Sequence, residues 1–123
     1  MSKYSDMPYL VPMIEQLSDE IKNYARDLAE ADIRLKPKYR ELIACLEESR
    51  SQYIAEYSAL ENELKAIKAD DPEVYEMIYW HDLKRKNWRQ VFDITCSGLM
   101  CDYPEVFCKK IVFRYLEKHG YNR

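Results

Sequence analysis

From Leu10 onward the apolar residues fall at Leu10, Ile14, Leu17, Ile21, Tyr24, Leu28, Ala31 and Leu35, so that steps of four and three alternate without a break. An α-helix with this spacing keeps one apolar seam turned toward one partner along its length, the pattern of a coiled coil or helical bundle. A strand cannot use it, because strand side chains change face at every residue. Pro12 fits a helix that starts near Leu10, where it falls in the first turn and its missing N–H is not needed. Residues 1–9 read as a flexible lead-in. Pro37 breaks or kinks the helix by crowding the preceding turn. A second helix is expected over 38–69, with a stripe at Tyr39, Leu42, Leu46, Tyr53, Tyr57, Leu60, Leu64 and Ile67 that weakens at Ser49–Ser51 and shifts register near Tyr53–Tyr57, like a stutter. Two arrangements satisfy residues 10–69: an antiparallel hairpin, or one kinked rod that forms a homodimer. The pattern serves both.

Asp70-Asp71-Pro72-Glu73 starts a new segment, residues 70–123. Either Asp70 caps with Glu73 as its capping-box partner, or Asp71 caps with Pro72 in the first helical position. The helix from about 72 to 84 carries Val74, Tyr75, Met77, Ile78, Tyr79, Trp80 and Leu83 nearly all round, and so is expected to be buried between other elements. Lys84-Arg85-Lys86-Asn87 is a polar turn, and Asn87 with Gln90 forms a second candidate capping box. A short helix follows with Trp88, Val91, Phe92 and Thr95 on one face. Residues 96–101 form a connector. Asp102 with Glu105 is the expected cap of a last helix that reaches about His119, with Gly120 as its stop. The expected fold is all-α: a long helical hairpin or coiled-coil arm, then a C-terminal helix-turn-helix-like three-helix unit.

Charge is divided unevenly. Residues 1–83 carry 10 Lys and Arg against 18 Asp and Glu, and residues 84–123 carry 9 against 4, within a net charge of −3 for the 123-residue chain. A basic segment attached to an acidic one points to a polyanionic partner for the basic part. In the last helix, Pro104, Phe107, Cys108, Ile111, Val112, Tyr115 and Leu116 share one arc at 100° per residue. Lys109, Lys110, Phe113, Arg114 and Glu117 share the other. A duplex reader needs exposed donors for phosphates and base edges. Lys109, Lys110 and Arg114 can supply them, and Lys84, Arg85, Lys86 and Arg89 can clamp phosphates beside them.

The order helix, polar turn, short helix, connector and basic helix is that of a helix-turn-helix DNA reader. The run Ile78-Tyr79-Trp80-His81-Asp82-Leu83-Lys84-Arg85-Lys86-Asn87-Trp88-Arg89-Gln90-Val91-Phe92 resembles the C-terminal motif of the phage RinA/ArpU-type transcriptional regulators, which are themselves similar to region 4 of sigma-70 factors. Trp88 and Val91 match that family's W-x-x-I/V-A pattern, while Phe92 stands where a small residue is usual and His81-Asp82 where Arg-Tyr is common. Lys109–Leu116 is similar to the family's basic terminal helix. The resemblance implies double-stranded DNA as the partner of the basic unit, a role in transcription regulation, and an arm for self-association or contact with RNA polymerase. The rival reading is a non-enzymatic interaction module, an inhibitor or assembly factor that grips a protein through its acidic helical arm.

Other chemistry finds little footing. Cys96, Cys101, Cys108 and His119 have spacings that fit no standard zinc finger, and the cysteines, Cys45 included, read as small buried hydrophobes in thiol form. His81 and Asp82 are sequence neighbours and are not expected to share a helix face. No Gly-rich phosphate loop or nucleophile elbow occurs, so neither enzymatic activity nor a cofactor or metal is expected. The apolar runs are too short to cross a bilayer, where roughly 20 residues are needed. The N-terminus lacks an apolar signal core, and the chain reads as cytoplasmic.

Overall fold

In the computed structural model residues 3–121 are described, and the fold is all-α. A 3-10 turn, Lys3–Asp6, leads into α1 (Met7–Glu30). Then follow α2 (Lys36–Asp70), α3 (Pro72–Ile78) with a widened π turn at Tyr79–Leu83, α4 (Trp88–Thr95) and α5 (Pro104–Lys118). No strand forms among the described residues. None of their helices is long and apolar enough to cross a membrane. The described residues divide into two compact units: Pro8–Ala59, and residues 3–7 together with 60–121.

The Pro8–Ala59 unit is the antiparallel hairpin, not the kinked rod. Tyr24 meets Tyr39 with ring centroids 6.4 Å apart, and Arg50 donates to Ser18 Oγ at 3.3 Å, so positions advance along α1 as they recede along α2. Asp32 makes the reversal. Its backbone carbonyl accepts from Leu35 and Lys36 N–H, and its carboxylate accepts from Arg34 N–H at 3.1 Å. Pro37 therefore lies in the first turn of α2, where its lack of a donor costs nothing. Pro12, by contrast, lies inside α1, because that helix begins at Met7 rather than Leu10.

The α1 stripe from Ile14 to Ala31 is half-buried, with Leu35 exposed beyond it. The stripe on α2 differs from expectation. Leu42 is exposed, and from Tyr39 to Tyr57 the half-buried positions are Tyr39, Ile43, Leu46, Ser49, Arg50, Tyr53 and Tyr57. Apart from Ser49, which lies beside Arg50, the steps are again four and three, and the seam continues through Tyr53 and Tyr57 without a stutter. The seam looked broken because a polar residue, Arg50, occupies one of its positions. Ser18 accepts from Arg50 and passes its own hydroxyl hydrogen to Ile14 O at 2.9 Å, which satisfies the layer. Cys45 lies off the seam and is exposed, correcting its expected burial.

The second unit holds a buried core that includes Tyr4, Leu64, Ile67, Val74, Ile78, Val91, Cys108, Val112 and Leu116. The boundary falls inside α2 because Leu60, Leu64 and Ile67 bury their side chains in this unit. Residues 3–7, expected to be a flexible lead-in, belong to it as well. Tyr4 is completely buried and donates its hydroxyl to Glu63 at 2.9 Å, while Lys3 pairs with the same carboxylate at 2.7 Å. An aromatic anchor with a satisfied hydroxyl outweighs the entropy of a short terminal segment. Burial is the main reason the Tyr4 phenol is held well above the tyrosine range, reinforced by its bond to Glu63.

Asp71 caps α3, its carboxylate accepting from Val74 N–H at 3.2 Å, with Pro72 following. Asp70 is thus free to serve elsewhere.

Candidate nucleic-acid interface

The segment from α3 to α5 positions every basic residue of interest. After Ile78 the helix widens so that Lys84 N–H bonds to Tyr79 O, five residues back, at 3.0 Å. The extra residue carries His81 onto Trp88, where the rings stack with centroids 3.7 Å apart. His81 Nδ1 then donates to Lys86 O at 2.9 Å, because a carbonyl can only accept. That leaves Nε2 facing the buried Asp82 at 3.7 Å, so the neighbours that were not expected to share a face do approach each other. The stack and the Nδ1 bond fix the 84–87 turn. Arg85 takes up a left-handed backbone, φ 57°.

Asn87 and Gln90 form the full capping box at the start of α4, with bonds of 2.8 and 3.0 Å. Val91 and Phe92 are buried beneath it. Phe92, bulky where the resembled family has a small residue, fits because Phe107 meets it edge-on at 5.6 Å. The two helices are tied again by Thr95, near Cys108 at 3.7 Å, and by Arg89, which reaches Glu105 at 3.4 Å.

The start of α5 departs from expectation. Tyr103, not Asp102, occupies the cap position and makes no side-chain cap bond, so Pro104 alone pre-sets the first turn. Cys108, Val112 and Leu116 are buried, and Phe107, Ile111 and Tyr115 flank them half-buried. At the far end Tyr115 donates to Asp70 at 2.6 Å and lies with its ring tilted against that of His119, whose Nε2 is 3.7 Å from the same carboxylate. Burial and the bond to Asp70 raise the Tyr115 phenol above the ordinary value of 10. Gly120, φ 74°, ends the helix in the left-handed conformation that glycine adopts without penalty.

The opposite face of α5 is exposed: Val106, Lys109, Lys110, Phe113, Arg114 and Glu117. Lys109 lies 5.5 Å from the Phe113 ring centroid. Among the described residues no carboxylate pairs with Lys109, Lys110 or Arg114. Lys110 and Arg114 sit four residues apart on one face, and such like-charge pairs repel by a few tenths of a kcal/mol. An anion bound between them removes that repulsion.

The second basic group is less uniform. Lys84 and Arg85 are exposed in the turn before α4, with Lys84 5.5 Å from the Tyr79 ring centroid, and Lys86 is half-buried. Arg89, expected to clamp phosphate, is engaged by Asp93 and Glu105, each at 3.4 Å. The sequence held a signal for the first pairing, since Asp93 stands four residues after Arg89. The second needed the crossing of α4 and α5. Among the described residues no group of three His, Cys, Asp or Glu side chains is placed to hold a metal ion, and His119 is directed to Asp70.

Compared with known protein families, curated proteins and solved structures, the chain matches none.

Proposed function

We propose that this protein is a DNA-binding transcription regulator of phage type, with α5 presented to the major groove and α4 bracing it from behind. One observation carries the reading: Lys109, Lys110 and Arg114 share an exposed face of α5 and have no carboxylate partner among the described residues, while the other face of the helix anchors it in the core. A reading helix needs this division, with a fixed back and an open cationic front. Lys84 and Arg85 add phosphate donors from the turn before α4.

The test is a salt titration of duplex DNA binding with the triple variant Lys109→Gln, Lys110→Gln, Arg114→Gln. Each lost phosphate contact lowers the log–log salt slope by about 0.9, so three lower it by roughly 2.7. An unchanged slope refutes the assignment.

The hairpin favours a second reading alongside the first. Ile33, Leu35, Leu42 and Ile54 are exposed on it, away from its own seam. Apolar side chains in that position suit protein contact, either with another copy or with RNA polymerase, and residues 8–59, with 7 Lys and Arg against 10 Asp and Glu, lack the basic excess that DNA attracts. Capture of a protein partner by the intact chain, with no retention on DNA, would make the interaction module the primary function.

A further inference from the structure

Three of the four cysteines gather where α4, the connector and α5 meet, and the reading above gives them no role. Thr95 lies between two of them, Cys96 and Cys108. Its Oγ1 is 3.5 Å from Cys96 Sγ, 3.7 Å from Cys108 Sγ and 2.8 Å from Val91 O. The carbonyl can only accept, so the Thr95 hydroxyl hydrogen is committed to it. The lone pairs of Oγ1 are then left to accept from both thiols, and two sulfurs converge on one oxygen.

The two thiols differ in access. Cys96 is half-buried and lines two cavities of about 540 Å³ each, one beside α3 and one beneath the connector. Cys108 is fully enclosed. Burial pushes its thiol up to about 11, with Cys96 and Cys101 both near enough to add to the shift. An enclosed, protonated thiol is a poor first nucleophile, whereas one on a cavity wall meets small oxidants.

We propose that Cys96 is a site of oxidation by hydrogen peroxide and that Cys108 resolves it, forming a reversible Cys96–Cys108 disulfide that staples the end of α4 to the second turn of α5. The Cys96 thiolate attacks one peroxide oxygen. The O–O bond breaks, hydroxide leaves and is protonated to water, and Cys96 becomes a sulfenic acid. Cys108 gives up its proton and its sulfur attacks the Cys96 sulfur. The S–O bond breaks and the oxygen departs as a second water. Two thiols are oxidised and one peroxide is reduced to two waters. Cys101 lines the cavity beneath the connector and is not needed for the pair. The inference stands on the thiol cluster alone and does not depend on DNA binding.

The test is peroxide treatment of the reduced full chain, then alkylation and peptide mapping by mass spectrometry. The expected result is loss of two of the four alkylatable thiols, a peptide pair linked through Cys96 and Cys108, and restoration by dithiothreitol. Cys101→Ser gives the same pair. Cys108→Ser stops at a sulfenic acid on Cys96 that dimedone traps. Should that variant fail to fold, the wild-type and Cys101→Ser maps decide the matter. A Cys96–Cys101 link, a link between chains, or four intact thiols where a control peptide thiol is oxidised overturns the proposal.

Discussion

Replacing Ile67 by alanine removes three carbons from a side chain with 0% exposure, on the part of α2 that enters the C-terminal core. At about 0.8 kcal/mol for each buried methylene, the transfer loss is roughly 2.4 kcal/mol. The vacated space adds up to about 2 kcal/mol if the neighbours do not close it, at about 24 cal/mol per Å³. The expected cost is therefore about 2.5–4.5 kcal/mol. A unit of this size shifts its melting midpoint by roughly 4–8 °C for each kcal/mol, so the fall is ten degrees or more. The control is Ile54→Ala, the same chemistry on the same helix at 44% exposure, expected to cost about 0.5 kcal/mol or less. Both tryptophans, Trp80 and Trp88, lie in the C-terminal unit, so tryptophan fluorescence during thermal or urea unfolding reports that unit. Equal shifts for the two variants, or a cost below about 1 kcal/mol at Ile67, would refute the claim that the end of α2 is core while its middle is not.

Asn87→Ala removes the α4 cap and is expected to cost about 1 kcal/mol in the same unfolding assay, with Asn87→Gly costing only a few tenths. Tyr4 and Tyr115 both have phenols held above the ordinary value of 10, so the native state keeps protons that the unfolded chain gives up. Their contribution is fully present below pH 10 and is lost as pH rises beyond it. Unfolding midpoints measured from pH 8 upward should fall above 10, and Tyr4→Phe or Tyr115→Phe should flatten the decline. In DNA titrations Arg89→Ala should leave the salt slope within a few tenths of wild type, because Asp93 and Glu105 already engage its guanidinium, whereas Lys110→Ala should lower it by about 0.9. Equal effects would show that Arg89 leaves its carboxylates for phosphate.

Periodicity and cap chemistry are properties of neighbouring residues, and these made much of the protein legible in its sequence. The heptad from Leu10 to Ala31, the Asn87–Gln90 box, the stop at Gly120 and the two arcs of α5 all rest on side chains within one or two helical turns of each other. So does the exposed basic face of Lys109, Lys110 and Arg114, since a helix that buries Cys108, Val112 and Leu116 must turn those three residues outward.

Tertiary structure decided whatever depended on a distant partner. Pro37 alone could not choose between hairpin and rod, and the Arg50–Ser18 and Tyr24–Tyr39 contacts settle it. On α2 the seam runs through Ile43 rather than Leu42, and Arg50 is recognisable as a seam position only once Ser18 faces it. Tyr4 became an anchor through Glu63, Arg89 lost its freedom to Glu105, and Phe92 found room only beside Phe107. The thiols of Cys96 and Cys108, twelve residues apart in the chain, converge on Thr95 because α5 crosses α4 there. Local rules set which face each helix would bury; which residues met across those faces was fixed only when the helices packed.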